Sequence, residues 1–128
     1  MRPYVLIVED DVDLRELFEL AITDAGYRVM AVENGETALT LLAESALPQF
    51  ILLDLMMPEM NGLEFIARRG EIEGLVNIPI VLLSAAKPSG LDPTPLGVQV
   101  VRKPIELLEL LKLVHTHCGS GIAPGADV

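Results

Sequence analysis

Tyr4–Asp13, YVLIVEDDVD, holds a five-residue run of mostly apolar side chains followed at once by Glu9, Asp10 and Asp11. Uninterrupted apolar runs of this length belong to strands buried on both faces, as in a parallel sheet. Packed like charges repel, and each carboxylate resists leaving water. Three acids directly after a buried strand therefore need compensating chemistry close by.

The rest of the chain repeats the apolar run and alternates it with helical patterns. Leu14, Leu17, Phe18, Ala21, Ile22 and Ala25 follow a spacing of three and four, with Asp13 and Glu16 as a capping box at the start and Gly26 as the stop. Arg28 to Val32 is a short strand. Asn34 caps a helix carrying Ala38, Leu42 and Ala46, closed by Pro48. FILLD, Phe50 to Asp54, is a buried strand ending in one acid. Asn61 caps a helix with Leu63, Ile66 and Ala67 that ends near Gly70. Pro79 precedes the strand IVLLS, Ile80 to Ser84, and VQVV, Val98 to Val101, is the fifth strand. Pro104 stands at the first turn of a last helix running from Ile105 to about His117. Strands alternating with helices predict a parallel sheet covered on both faces. Ligands of such sheets bind beyond the carboxyl ends of the strands. Glu9, Asp10, Asp54, Ser84 and Lys103 all follow or end strands, so all are expected at one edge.

The chain has 128 residues, the size of one domain, and 51% of them are hydrophobic, which excludes a disordered polypeptide. A formal net charge of −10 repels phosphate backbones and argues against direct nucleic-acid binding. No apolar run approaches the ~20 residues of a bilayer-spanning helix. There is no signal-peptide pattern, and Cys118 is the only cysteine, so the expectation is a cytoplasmic protein without disulfides. The domain is expected over residues 1–118, with a flexible Gly-rich tail at 119–128.

Asp11 or Asp13 serves as a helix cap, but capping does not account for Glu9 and Asp10 facing an acid from the third strand. Three carboxylates near one point are hard oxygen ligands suited to Mg²⁺, an ion that works with phosphate oxygens. Lys103 adds a fixed positive charge, Ser84 a hydroxyl donor, and Asp54 a carboxylate able to form an acyl phosphate. Together they make a phosphoryl site.

The segments VEDD, LLDLMMPEMNG, LLSA and RKP, in that order, resemble the receiver domain of two-component response regulators, over about residues 3 to 117. The resemblance implies a flavodoxin-like, doubly wound α/β fold with a five-stranded parallel sheet of order 2-1-3-4-5. It implies that Asp54 receives a phosphoryl group from a histidine kinase or phosphotransfer protein. Mg²⁺ would be held by Glu9, Asp10, Asp54 and the backbone carbonyl of Met56. Ser84 would hydrogen-bond the phosphoryl group and Lys103 would pair with it. Pro58 and Gly62 match the loop after the phosphorylated strand. Such a chain is a phosphoacceptor in signal transduction rather than an enzyme acting on a separate substrate.

Two departures from that pattern stand out. The family usually carries Tyr or Phe three residues before the lysine; here it is Val100. The segment KPSGLDPTPLG, Lys87 to Gly97, holds three prolines, each costing about 3 kcal/mol inside a helix. The fourth helix is therefore expected to be degenerate or missing, with a mobile loop beside exposed leucines. Leu107, Leu110 and Val114 are expected on that flank, while Ile105, Leu108 and Leu111 cover the sheet. Strand five and the last helix would then form a partner or homodimer surface. The leading expectation is a stand-alone receiver acting through protein–protein contacts; the alternative is a receiver-like binding module independent of phosphorylation. An Mg²⁺-dependent aspartyl-phosphate hydrolase would need a second Asp where Met56 stands, and a flavin protein would need a phosphate-cradling loop after the first strand. His115 and His117 are expected as solvated residues at a helix end.

Overall fold

The computed structural model describes residues 3–57, 60–85 and 98–119. Chain order is β1 (Tyr4–Val8), α1 (Val12–Asp24), β2 (Arg28–Val32), α2 (Gly35–Glu44), β3 (Phe50–Asp54), α3 (Gly62–Arg68), β4 (Ile80–Ser84), β5 (Gln99–Arg102) and α4 (Leu107–Cys118). Two 3-10 turns, Arg69–Glu71 and Leu75–Asn77, lead from α3 to β4. The five strands are parallel, in the order β2-β1-β3-β4-β5. This is the flavodoxin-like, doubly wound sheet that the resemblance implies, and the parallel sheet that the alternation of strands and helices predicts.

β1, β3 and β4 are buried along their whole length, whereas β2 and β5 are edge strands with exposed positions. Side chains alternate between two cores. Leu6, Val8, Ile51, Leu53 and Leu82 pack with Leu39, Leu42, Phe65 and Ile66 of α2 and α3. Val5, Ile7, Leu52, Val81 and Leu83 pack with Phe18 and Ile22 of α1 and Leu110 and Val114 of α4. Each fully buried side chain of this kind contributes about 1.5–3 kcal/mol relative to exposure.

Four local expectations are corrected. Asp11, not Asp13, caps α1: its carboxylate accepts from the Leu14 amide at 3.1 Å, because Asp11 is the last residue with extended backbone. α2 ends at Glu44, so Ala46 is outside it; the Ala46 carbonyl accepts the Tyr4 hydroxyl at 2.6 Å instead of continuing the helix. β5 is shifted by one residue, to Gln99–Arg102, with Val98 buried just before it. α4 begins at Leu107 rather than Ile105: Glu106, at φ −75° and ψ 145°, is extended and is the N-cap, and Pro104 lies before it after a cis peptide bond. The remaining caps are as expected. Asn34 caps α2, and Asn61 with Glu64 forms a full capping box on α3.

The face of α4 also differs from the expectation. Leu110 and Val114, four residues apart, are the side chains buried under α4, whereas Leu107 and Leu108 are 40% and 66% exposed. α4 packs beside α1 on one face of the sheet, and that neighbour sets which stripe points inward. The expectations for Pro58, Lys87 to Gly97 and the tail after Gly119 fall on residues outside those described. Four α-helices lie among the described residues, and none of these is long and apolar enough to cross a membrane.

Candidate functional site

Parallel register gathers the polar residues at one edge. Val8 of β1 pairs with Leu53 of β3, which sets Glu9 beside Asp54, the last residue of β3. Asp54 pairs with Leu83, one residue before Ser84, and Ser84 pairs with Arg102, one before Lys103. The main chain then fastens these ends. The Glu9 amide donates to the Val32 carbonyl at 3.1 Å, and the Lys103 amide to the Ser84 carbonyl at 2.7 Å.

Glu9 and Asp54 are almost completely buried, at 2% and 3% exposure, and Ser84 at 2%. The Lys103 ammonium bridges the two carboxylates, 3.1 Å from Glu9 Oε1 and 3.0 Å from Asp54 Oδ1. Burial, and then the neighbouring charge of Asp54, push the Glu9 pKa from 4.5 up to about 7. Burial alone would lower the Lys103 pKa; the hydrogen bond to Asp54 and the charges of both carboxylates outweigh it and leave it raised. Asp10 is exposed, and Glu9, Asp10 and Asp54 each offer an oxygen within 4.8 Å of the others. Three carboxylate oxygens at this spacing are the hard donor set that Mg²⁺ takes.

Glu9, Asp10, Asp54 and Lys103 thus meet as expected, with Ser84 buried at the adjoining strand end. The Met56 side chain is 68% exposed, next to the site in sequence but not packed into it. Val100 is partly buried against the α2–α3 core, as an aliphatic edge-strand residue.

Three supporting contacts escaped the sequence reading. The Arg15 guanidinium donates to the Glu9 carbonyl at 2.9 Å, and the Asp11 amide to Glu9 Oε2 at 3.2 Å. An arginine one turn into α1, otherwise apolar on its inner face, was the available signal for the first. The third is Gly62, whose amide donates to the Leu55 carbonyl at 2.8 Å and whose α-carbon passes close under the main chain of β3.

The family model described as response regulator receiver domain matches residues 5–115. An uncharacterized 14.6 kDa protein of Leptolyngbya boryana is 34% identical over 123 residues, covering 89% of this chain and 88% of that one. The response regulator receiver protein CpdR of Brucella abortus is 33% identical over 114 residues, covering 87% and 92%. Among solved structures, the Vibrio cholerae chemotaxis protein CheY4 superposes with a TM-score of 0.79 at 28% identity, over 91% of this chain and 99% of that one. Other relatives are longer: the chain spans 36% to 53% of two of the transcriptional regulatory proteins it matches.

Proposed function

Because this chain belongs to the response regulator receiver domain family, we propose that Asp54 is its phosphoacceptor and that its receiver module, residues 1–118, works as a phosphorylation-controlled protein–protein switch. The observation that carries this reading is the Lys103 ammonium lying 3.0 Å from a buried Asp54 carboxylate, beside Glu9 and Asp10. Receiver domains exchange phosphoryl groups with histidine kinases or phosphotransfer proteins, so the donor is a phosphohistidine. An Asp54 oxygen attacks phosphorus, the phosphorus–nitrogen bond breaks, and the imidazole leaves with its electron pair. Asp54 is suited to this attack: it is fixed at a strand end and shielded from bulk water.

Mg²⁺ would be held by Glu9, Asp10, Asp54 and the main-chain carbonyl of Met56, where it would neutralise charge on the phosphoryl oxygens. Lys103 would exchange its contact with Asp54 for one with the phosphoryl group, and Ser84 would donate its hydroxyl to another phosphoryl oxygen. The output of the module is recognition by a downstream partner, in the cytoplasm.

Intact-mass analysis after treatment with a small acyl phosphate tests the reading. One added phosphoryl group is expected with Mg²⁺ and none with a chelator, and Asp54→Asn is expected to gain none in either case. A wild-type chain that gains nothing with Mg²⁺ would overturn the phosphoacceptor assignment and leave a phosphorylation-independent binding module.

A further inference from the structure

Arg15 is the only base of α1, a helix whose other charges are Asp13, Glu16, Glu19 and Asp24. It sits one turn inside the amino end, where the helix dipole disfavours a cation. A solvated arginine there would pair with an acid one turn away, at Asp11 or Glu19. Among the described residues it pairs with neither. The half-buried guanidinium instead turns back to the carboxyl end of β1 and donates to the Glu9 carbonyl at 2.9 Å.

That carbonyl lies between two carboxylates with different supports. Glu9 is fastened at its other polar atoms: its amide donates to the Val32 carbonyl, Oε1 accepts from Lys103 and Oε2 accepts from the Asp11 amide. Asp10, next along the chain, is exposed, and among the described residues no hydrogen bond or ion pair holds its side chain. Yet it offers an oxygen within 4.8 Å of ones from Glu9 and Asp54. The Glu9 carbonyl and the Asp10 amide belong to one planar peptide unit. Holding the carbonyl therefore fixes the plane from which the Asp10 α-carbon, and with it the carboxylate, is launched. Of three like charges brought together, the exposed one is the one free to swing away into water. Arg15 is the side chain that holds its plane in place.

We infer that Arg15 is a positioning residue for the proposed Mg²⁺ site: by holding the Glu9 carbonyl it keeps the Asp10 carboxylate facing Glu9 and Asp54 before the cation arrives. The inference rests on the proposed metal reading and adds to it a residue outside the ligand set. Positioning and charge act in opposite directions here. A guanidinium near three acids repels an incoming cation, so its removal would tighten Mg²⁺ binding if charge were its whole effect. Loss of the hydrogen bond releases Asp10 and weakens binding. The sign of the change separates the two.

Thermal unfolding of the full chain, followed by circular dichroism across a Mg²⁺ titration, tests it, because an ion that binds only the folded state raises Tm by mass action. In Arg15→Met, which keeps an apolar stem and loses the donors, half-saturation is expected at about tenfold more Mg²⁺, the low end of what a lost partner behind a metal ligand costs. Arg15→Lys, which keeps a donor, is expected to recover most of that loss. Arg15→Gln, uncharged and shorter, replaces Arg15→Met should that variant not fold. Phosphoryl acceptance from a small acyl phosphate, read by intact mass, is expected to need the same increase in Mg²⁺ and to reach the wild-type rate once Mg²⁺ saturates. An Arg15→Met chain with a lower metal-free Tm but unchanged half-saturation has lost only fold stability and overturns the inference. Tighter Mg²⁺ binding, the mark of lost charge alone, overturns it too, as does an Arg15→Lys chain no better than Arg15→Met. A wild type whose Tm does not respond to Mg²⁺ is a separate failure: it overturns the metal reading itself, and the inference with it.

Discussion

Alanine at three glycines should separate close backbone approach from open surface. At Gly62 an added methyl would sit 2.6 Å from Leu82 Cδ1, 2.8 Å from the Asp54 carbonyl oxygen and 3.1 Å from Leu55 Cα. Two of these three neighbours are main chain at the carboxyl end of β3, which cannot rotate aside. Overpacking costs about 1–3 kcal/mol, and rigid neighbours put Gly62→Ala at the upper end, about 3 kcal/mol. At Gly35 the contacts are Met60 Sδ at 2.8 Å and Met60 Cγ at 3.2 Å, the far part of a flexible side chain. Met60 can shift, and alanine is better than glycine in a helix by roughly 1 kcal/mol, so Gly35→Ala should cost less than about 1 kcal/mol. Gly70 has nothing within 4 Å and no left-handed backbone, so Gly70→Ala should be neutral or stabilise by about 0.4–1 kcal/mol. Urea denaturation with unchanged slope gives the three values directly. The order Gly62 well below Gly35, and Gly35 below Gly70, is the prediction. Equal losses at Gly62 and Gly35 would refute the close-approach argument. Because Gly62→Ala presses on Asp54's own carbonyl, it should also slow phosphoryl acceptance, whereas Gly70→Ala should not.

Met56→Asn is expected to shorten the lifetime of phosphorylated Asp54 several-fold, because hydrolysis needs an in-line water and an exposed methionine holds none; the decay of intact mass after removal of phosphodonor measures it. Burial pushes the Cys118 thiol from 9.0 up to about 11. The unfolded thiol then ionises first, so this contribution is whole below pH 9 and lost as pH rises towards 11. Urea midpoints measured across that range should fall, and Cys118→Ala should flatten the fall.

The strand ends were legible in sequence for a simple reason. β1, β3 and β4 are apolar over their full length, and the first polar residue after such a run marks both its end and the ligand edge. Glu9, Asp54 and Ser84 were found by that rule, and Lys103 by its place after the fifth run. Helix caps were legible where one residue type alone fitted, as at Asn34 and Asn61. They were not legible where acids compete: Asp11 and Asp13 both suit a cap, and backbone conformation decides between them. The face of α4 was misassigned because nearly every position from Leu107 to Val114 is apolar. Such a helix carries no directional signal, so only its packing beside α1 could select Leu110 and Val114. The contacts of Arg15 and Gly62 depend on close three-dimensional approach and leave no periodic trace.

The acids after β1 can now be weighed against their compensation. Asp10 is exposed, so water screens its charge and its position costs little. Glu9 and Asp54 are buried with carboxylate oxygens within 4.8 Å of each other, and burial with the Asp54 charge raises the Glu9 pKa to about 7, so near neutral pH Glu9 carries only part of its charge. One ammonium lying 3.1 Å and 3.0 Å from the pair offsets the repulsion that remains. It also explains why the lysine comes from β5, two strands away from Asp54 in the sheet. The Lys103 amide is held on the Ser84 carbonyl, so the side chain is launched from a fixed point and need only span β4. A phosphoryl group arriving at Asp54 would add more negative charge than Lys103 alone can match. If Asp54 accepts the phosphoryl group as proposed, acceptance is expected to require a divalent cation, which Glu9, Asp10 and Asp54 would hold.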